Sequence, residues 1–487
     1  MKSHRSIILK IHELLETKKI SCVELIKKYL DEIKKNKFNA YITVTENEAL
    51  NSAALVDKKI SSGQEIKLLE GIPVSLKDVI STKGIRTTCG SRMLENYVPI
   101  YNATCWEILK NNGAILLGKN NQDEFAMGAS NETSFFGPVK NPYDITKVPG
   151  GSTGGGAASV VGGLAAFSIG TDTGGSLRQP ASFCGIVGLK PSYGSVSRYG
   201  IIPMASSFDQ AGPLTLTVKD ASIVYDAISK FDEKDSSSNS QARNLTYDSL
   251  DKDISGIRIG IPKEFMNGMN SEIISSIKNV IKTYENLGAK IDYFSLPEVK
   301  YAMSIYYVLM CAEASSNLGR FDGIRYGFRP KNYNNVEDLI IRSRSEGFGD
   351  EVKRRILLGT YILSSSYTNN FYKKAQELRE FLTCAFASVF EEFDIILLPT
   401  TPTTAFGFDY AEDDPIKMYL ADVCTVTANE IKIPAISIPC GFDKQNLPIG
   451  VQLFAPRFRE DILLNAAYKY ESENFCVKIV DGVNNLY

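Results

Sequence analysis

Apolar residues recur along the first part of the chain, to about residue 65, at the spacing of helices that bury one face. Ile7, Ile8, Ile11, Leu14 and Leu15 mark the first such helix. Another opens at Ser21 with Glu24 three residues on, a capping box in which each side chain satisfies a backbone donor of the other's residue. This pattern predicts a helical segment over 1–65 that packs on a core formed by 66–487. Thr104 with Glu107 repeats the box and predicts a helix ending at Gly113, followed by a short buried strand over Ala114 to Leu117.

From 150 to 191 the chain is small and apolar, GGSTGGGAASVVGGLAAFSIGTDTGGSLRQPASFCGIVGLKP, and such residues let backbones approach closely. This stretch is expected at the centre of the molecule. Residues 232–253 are polar and rich in Ser and Asp, the composition of an exposed loop. IRIGIP at 257–262 then starts a new strand, helical patterns dominate 272–393, and FDIILLPT at 393–400 returns to strand. Helices alternating with short buried strands predict a layered α/β fold. The polar segment could divide two domains, but strand patterns on both sides of it equally suit one sheet built from both halves.

Composition narrows the function. Of 487 residues 44% are hydrophobic and 23% charged, the balance of a globular protein, and the formal net charge of -2 gives no bulk attraction to nucleic acid or membrane. No span approaches the ~20 continuous apolar residues of a membrane helix, and the start lacks the apolar run of an export signal. The nine cysteines are scattered without a C-x-x-C pair, as in a reduced, cytoplasmic protein. The only histidines, His4 and His12, lie in the N-terminal helical stretch, more than a hundred residues from the glycine-rich region. A Ser-His-Asp triad or a histidine zinc site is therefore not expected, and any activated serine needs another base.

Three stretches carry groups able to do chemistry. In GIPVSLKDV (71–79), Lys77 ends an apolar run; it is either a strand-end lysine reaching solvent or a buried amine held neutral enough to accept a proton. GGSTGGG (150–156) lacks the spacing of both phosphate-binding glycine loops, which leaves a turn presenting Ser152 and Thr153, or a flexible loop. In GTDTGGS (170–176), the glycines before Ser176 leave backbone N–H groups free to converge on an oxyanion, although a plain turn has the same composition.

The order of Lys77, GGSTGG and GTDTGGSLRQPASFCGIVGLKP resembles the amidase signature family over nearly the whole chain. The resemblance implies a single large α/β domain with a mixed central sheet covered by helices on both faces. It implies Ser176 as nucleophile, Ser152 (after a cis peptide bond) as bridge and Lys77 as base, with the N–H groups of Thr173, Gly174, Gly175 and Ser176 as oxyanion donors. Thr153 and Gly156 depart from the family's commoner GGSSGGS.

The stretches 120–144, 312–327, 345–361 and 447–456 are similar to one branch of that family, the A subunits of tRNA-dependent amidotransferases. That likeness implies free glutamine as substrate, with Arg355 (or its neighbour Arg354) for the α-carboxylate, Asp422 for the ammonium and Tyr307 nearby. It also implies B and C partner subunits in a heterotrimer, Glu-tRNA(Gln) held mainly by the B subunit, no cofactor in this chain, and ATP with Mg used by the partner. The rival expectations are a stand-alone amidase with the same three residues and a non-catalytic nucleotide-binding protein.

Overall fold

A computed structural model describes residues 6–240, 245–266, 268–411 and 414–480. Its strands are β1 (Tyr41–Val44), β2 (Pro73–Lys77), β3 (Ile115–Asn120), β4 (Phe167–Asp172), β5 (Val187–Lys190), β6 (Gln210–Thr215), β7 (Arg258–Pro262), β8 (Lys290–Phe294), β9 (Ile395–Pro399), β10 (Ala435–Phe442) and β11 (Pro448–Phe454). They form one 11-stranded sheet in the order β1-β3-β2-β4-β6-β5-β10-β11-β9-β7-β8. β2 runs parallel to β3 and β4, and β7 parallel to β8 and β9, while the remaining pairings are antiparallel. The fold is therefore α/β with a mixed sheet, as the sequence pattern and the resemblance imply. Strands from before and after the polar 232–253 segment join this one sheet.

Lys77 lies on β2, which runs between β3 and β4. β2, β3 and β4 are buried at every position, the state expected of parallel strands covered on both faces. Register places Lys77 beside Asn120 of β3, and Leu76 beside Ile169 of β4. Every residue from 150 to 191 is buried, so the small-residue stretch does form the interior.

Three helices, Ile7–Glu16, Cys22–Lys35 and Glu46–Ser61, occupy the N-terminal segment. Ser21 and Glu24 make both halves of the predicted box. Leu25, Ile26 and Tyr29 of the second helix are fully buried in the main core. The first helix is tied down by Asp220, whose carboxylate accepts from the Ser6 hydroxyl, from Ile7 N at 3.0 Å and from Ile8 N at 3.2 Å. Its His12 sits 3.2 Å from Glu16; His4 lies outside the described residues.

The second predicted box does not form. The helix Thr104–Asn111 has Ala103 at its N-cap, and the Thr104 hydroxyl donates instead to Asp232 at 2.5 Å, while Glu107 accepts from Asn102. The polar segment thus supplies the competing partner. Its Asp235 also turns inward, pairing with Arg198 at 3.0 Å, whereas Glu233, Lys234 and Ser236 lie nearer the surface. Residues 241–244 of the predicted loop lie outside the described residues. Among the described residues no helix is long and apolar enough to cross a membrane.

Because Asp220 satisfies buried donors of two elements, Asp220→Ala is expected to destabilise the fold by on the order of 3 kcal/mol, since each orphaned donor costs about 1–3 kcal/mol. Urea unfolding checks this, and limited proteolysis should show cleavage near residue 7 in the variant before any other site.

Candidate active site

Lys77 ends β2 with its side chain fully buried, and its Nζ lies 2.7 Å from Ser152 Oγ and 3.4 Å from the Thr171 carbonyl. The solvated strand-end lysine is thus ruled out at this position. Burial pulls the amine down to about 7, against the charges of Asp123, Asp172 and Asp209, which pull it up. Burial thus favours the free-base form of the lysine.

Ser152 is held at this place by the turn around it. The Gly151–Ser152 peptide bond is cis. Gly151 N–H donates to Gln179 Oε1 at 2.8 Å, Thr153 Oγ1 to the Thr171 carbonyl at 3.1 Å, and Asp123 N–H to the Ser152 carbonyl at 3.2 Å. The serine turn is thereby fastened to the end of β4 and to the short helix Arg178–Phe183 that follows Ser176.

Ser176 differs from its two companions in keeping 7% exposure, while Lys77 and Ser152 have none. It is the member of the three that an incoming molecule can reach. Among the described residues the Ser176 hydroxyl makes no hydrogen bond to Ser152, so the Lys77–Ser152 link is formed and the Ser152–Ser176 link is open.

The Ser176 turn is shaped by Asp172. This carboxylate accepts from Gly175 N at 2.9 Å and Leu177 N at 3.2 Å, and it receives the Arg178 guanidinium in a fork with both contacts at 3.0 Å. Burial alone would raise the acid; Arg178 outweighs it and holds Asp172 down to about 2. Arg178, itself fully buried, donates onward to the Thr425 carbonyl at 2.9 Å, Asn429 Oδ1 at 2.6 Å and Gln452 Oε1 at 3.1 Å.

One of the four expected oxyanion donors is corrected by this arrangement. The N–H of Gly175 is engaged by Asp172 and does not point freely outward. The Gly174 and Ser176 N–H groups carry no hydrogen bond among the described residues, and Thr173 is steadied through its hydroxyl by Asp209 at 2.7 Å. The two glycines are needed for separate reasons. A Cβ at 174 would meet Tyr306 Oη at 2.5 Å, and Gly175 sits at φ 136°, where side chains are strained.

The expected head-group residues also converge. Arg355, 4% exposed on the helix Asp350–Leu363, donates through Nε to Glu351 at 2.7 Å and lies 5.7 Å from the ring of Tyr307 and 5.9 Å from that of Tyr419. Its neighbour Arg354 is 49% exposed and pairs with Glu351 on the helix surface. Burial thus separates two adjacent arginines that sequence alone leaves equivalent. Asp422 is buried, and burial pushes its carboxyl up to about 8, with Arg355 pulling only partly the other way. A buried acid of this kind is set to take up its charge when a cation arrives beside it. The Asp422 carbonyl receives the Thr425 hydroxyl at 3.0 Å, and the same hydroxyl lies 2.6 Å from the Gly174 carbonyl, so the segment of Asp422 is tied directly to the Ser176 turn.

Asp123, Asp172, Arg178, Thr425 and Glu351 were not singled out from the sequence. The spacing of Asp172 and Arg178 around Ser176 inside GTDTGGSLR was the available signal; Thr425 had none.

The amidase family model matches residues 24–464, and the chain belongs to that family, the amidases of the signature type. The relatives narrow this further. The chain is 50% identical over 477 residues to the A subunit of glutamyl-tRNA(Gln) amidotransferase from Alkaliphilus metalliredigens, covering 97% of both chains. It is 51% identical over 464 residues to the protein of the same name from Caldanaerobacter subterraneus, covering 95% of each. Among solved structures it is similar to the A subunit of the Thermotoga maritima glutamyl-tRNA(Gln) amidotransferase, with a TM-score of 0.78 and 38% identity over 93% of this chain and 94% of that one. The peptide amidase of Stenotrophomonas maltophilia shares the fold at a TM-score of 0.82 and 26% identity, covering 99% and 100% of the two chains.

Arg178→Met leaves Asp172 as a buried charge without its partner and is expected to lower stability by roughly 3–5 kcal/mol. A urea midpoint equal to that of the unaltered protein would show that the fork adds nothing to the fold.

Proposed function

We propose that this chain is the glutamine-hydrolysing A component of a glutamyl-tRNA(Gln) amidotransferase, releasing ammonia from free glutamine for use on a partner subunit. The observation that carries the reading is the buried Lys77 amine 2.7 Å from Ser152, in a family of amidases, beside a turn that presents a reachable Ser176. The identity of about half of all positions to named A subunits supports the assembly.

In the proposed cycle the Ser176 hydroxyl turns onto Ser152 and closes the open link, a tightening common when substrate enters a site. Ser176 Oγ attacks the side-chain amide carbon of glutamine as its proton passes through Ser152 to Lys77. The tetrahedral oxyanion is met by N–H groups of the 173–176 turn, Gly174 and Ser176 being unencumbered in this structure. The proton is returned to the amide nitrogen, the C–N bond breaks, and ammonia leaves behind a γ-glutamyl ester on Ser176. Water adds to the ester by the same proton route, the C–O bond to Ser176 breaks, and glutamate departs.

Arg355, whose Nε already pairs with Glu351, would offer its other N–H groups to the α-carboxylate, and Asp422 would take the α-ammonium. A buried guanidinium and a buried acid ready to ionise beside a cation suit an amino acid better than the aryl, acyl or peptide amides of stand-alone amidases. In this scheme the chain needs no cofactor. ATP and Mg act on the partner, Glu-tRNA(Gln) is bound mainly by the B subunit, and a C subunit completes a cytoplasmic heterotrimer.

Ser176→Ala is expected to abolish ammonia release from glutamine with an unchanged circular dichroism spectrum; persistent release at the normal rate would remove Ser176 as nucleophile. The amine accepts a proton only when neutral, so kcat at saturating glutamine should fall as pH drops through about 7 and level off above it. A pH-independent kcat from about 6 to 8, the decade on either side of that value, would eliminate Lys77 as the base. Arg355→Ala should raise the glutamine KM roughly 10- to 100-fold, the loss of charge-assisted hydrogen bonds, while Arg354→Ala leaves it within about twofold. Equal effects from the two arginines would contradict the assignment.

A further inference from the structure

Glu124 takes no part in the chemistry above, yet it ties the segment after β3 to the helix that carries Arg355. It lies in the loop after β3, shortly beyond Asn120, the register partner of Lys77. Its side chain is 2% exposed. One carboxylate oxygen accepts from the Ser91 hydroxyl, and the other accepts the Gly349 N–H at 2.8 Å. Burial drives this acid up to about 7, and the two hydrogen bonds pull the other way.

Gly349 is the N-cap of Asp350–Leu363 and has no side chain to cap with. From 225 residues away Glu124 instead accepts the N–H of Gly349 itself, the bond that the glutamate of a capping box makes, and sets its carboxyl group near the positive end of the helix dipole. The fit is close: a Cβ on Gly349 would meet Glu124 Oε2 at 2.5 Å. The next residue reinforces the clamp. Phe125 packs its ring 5.7 Å from Phe348 and 5.1 Å from Phe321. Phe348 and Gly349, the approach to the helix, are thus gripped by Glu124 and Phe125. Less than two turns on stands Arg355, oriented by Glu351 from the first turn of the same helix.

We propose that Glu124 is a positioning residue for recognition of the substrate's α-carboxylate, fixing the start of Asp350–Leu363 and through it the guanidinium of Arg355. The inference rests on the head-group assignment made above for Arg355. Without the carboxylate, Gly349 N–H loses its protein acceptor, the Ser91 hydroxyl keeps only the Gly347 carbonyl at 3.4 Å, and the helix start is freer to shift. A shift there moves Arg355 but leaves Lys77, Ser152 and Ser176 on their own elements.

The test compares Glu124→Ala and Glu124→Gln in the full-length chain assembled with its partner subunits. Ammonia release from glutamine, the rate of Ser176 labelling by a fluorophosphonate, and hydrogen exchange at the amides of 349–352 are measured on each. Glu124→Ala is expected to raise the glutamine KM by about tenfold or more while kcat and labelling stay within about threefold, the split expected of lost substrate positioning. Glu124→Gln, whose amide oxygen still accepts from Gly349, should recover most of the wild-type KM. Exchange at 349–352 should quicken in the alanine variant alone.

Unchanged exchange or an unchanged KM in Glu124→Ala, with Arg355→Ala raising KM, overturns the proposal, as does a proportional loss of labelling and kcat in both variants. If exchange quickens but neither Glu124→Ala nor Arg355→Ala alters KM, the head-group assignment has failed and the cap itself stands.

Discussion

An amine keeps its proton because water solvates the ammonium, and Lys77 has been taken out of water on every side. The organisation of the site follows from that constraint. Three carboxylates, Asp123, Asp172 and Asp209, lie within electrostatic reach and would restore the charge if left bare. Each is instead occupied. Asp172 holds Arg178, Asp123 accepts from Asn131 N, Thr133 N and the Thr133 hydroxyl, and Asp209 accepts from Met204 N, Ala205 N and the Thr173 hydroxyl. Of these partners only Arg178 carries an opposing charge, and burial remains the largest influence on the amine. The hydrogen bonds of Asp172 and Asp209 also fix the turn carrying Ser176, so electrostatic tuning and geometry there are supplied by one set of contacts.

The residues proposed to select the substrate share this frame. Thr425 bridges Asp422 to Gly174, and Arg178 fastens the Thr425 carbonyl to the Ser176 turn. The residue proposed to grip the ammonium and the residue proposed to attack the amide are therefore set relative to each other by a few buried contacts. Arg355 comes from the other side on its own helix, its guanidinium over Tyr307 and Tyr419.

Much of this was legible in the chain itself. The alternation of buried strands with helices, the central place of 150–191, and the three reactive stretches all depend on local composition and periodicity, which a single sequence displays. What was hidden depends on partners distant along the chain. Nothing near Arg178 announces Thr425, Asn429 or Gln452. The Thr104 box looked complete until Asp232 took the hydroxyl, and Gly175 looked like a free donor until Asp172 took its N–H. Arg354 and Arg355 were inseparable because neighbours on a helix differ only in the direction they face, about 100° apart, and direction acquires meaning only when something is packed on one side.

The contacts of Arg178 also impose an order in time. Its partners lie 247 to 274 residues further along the chain, the last of them on β11. A ribosome makes the two serines and the lysine early, and domains gather from the N-terminal end as they emerge. Until Gln452 has been added, the turn beneath Ser176 lacks its full support, so an incomplete polypeptide carries the reactive groups without the frame that directs them.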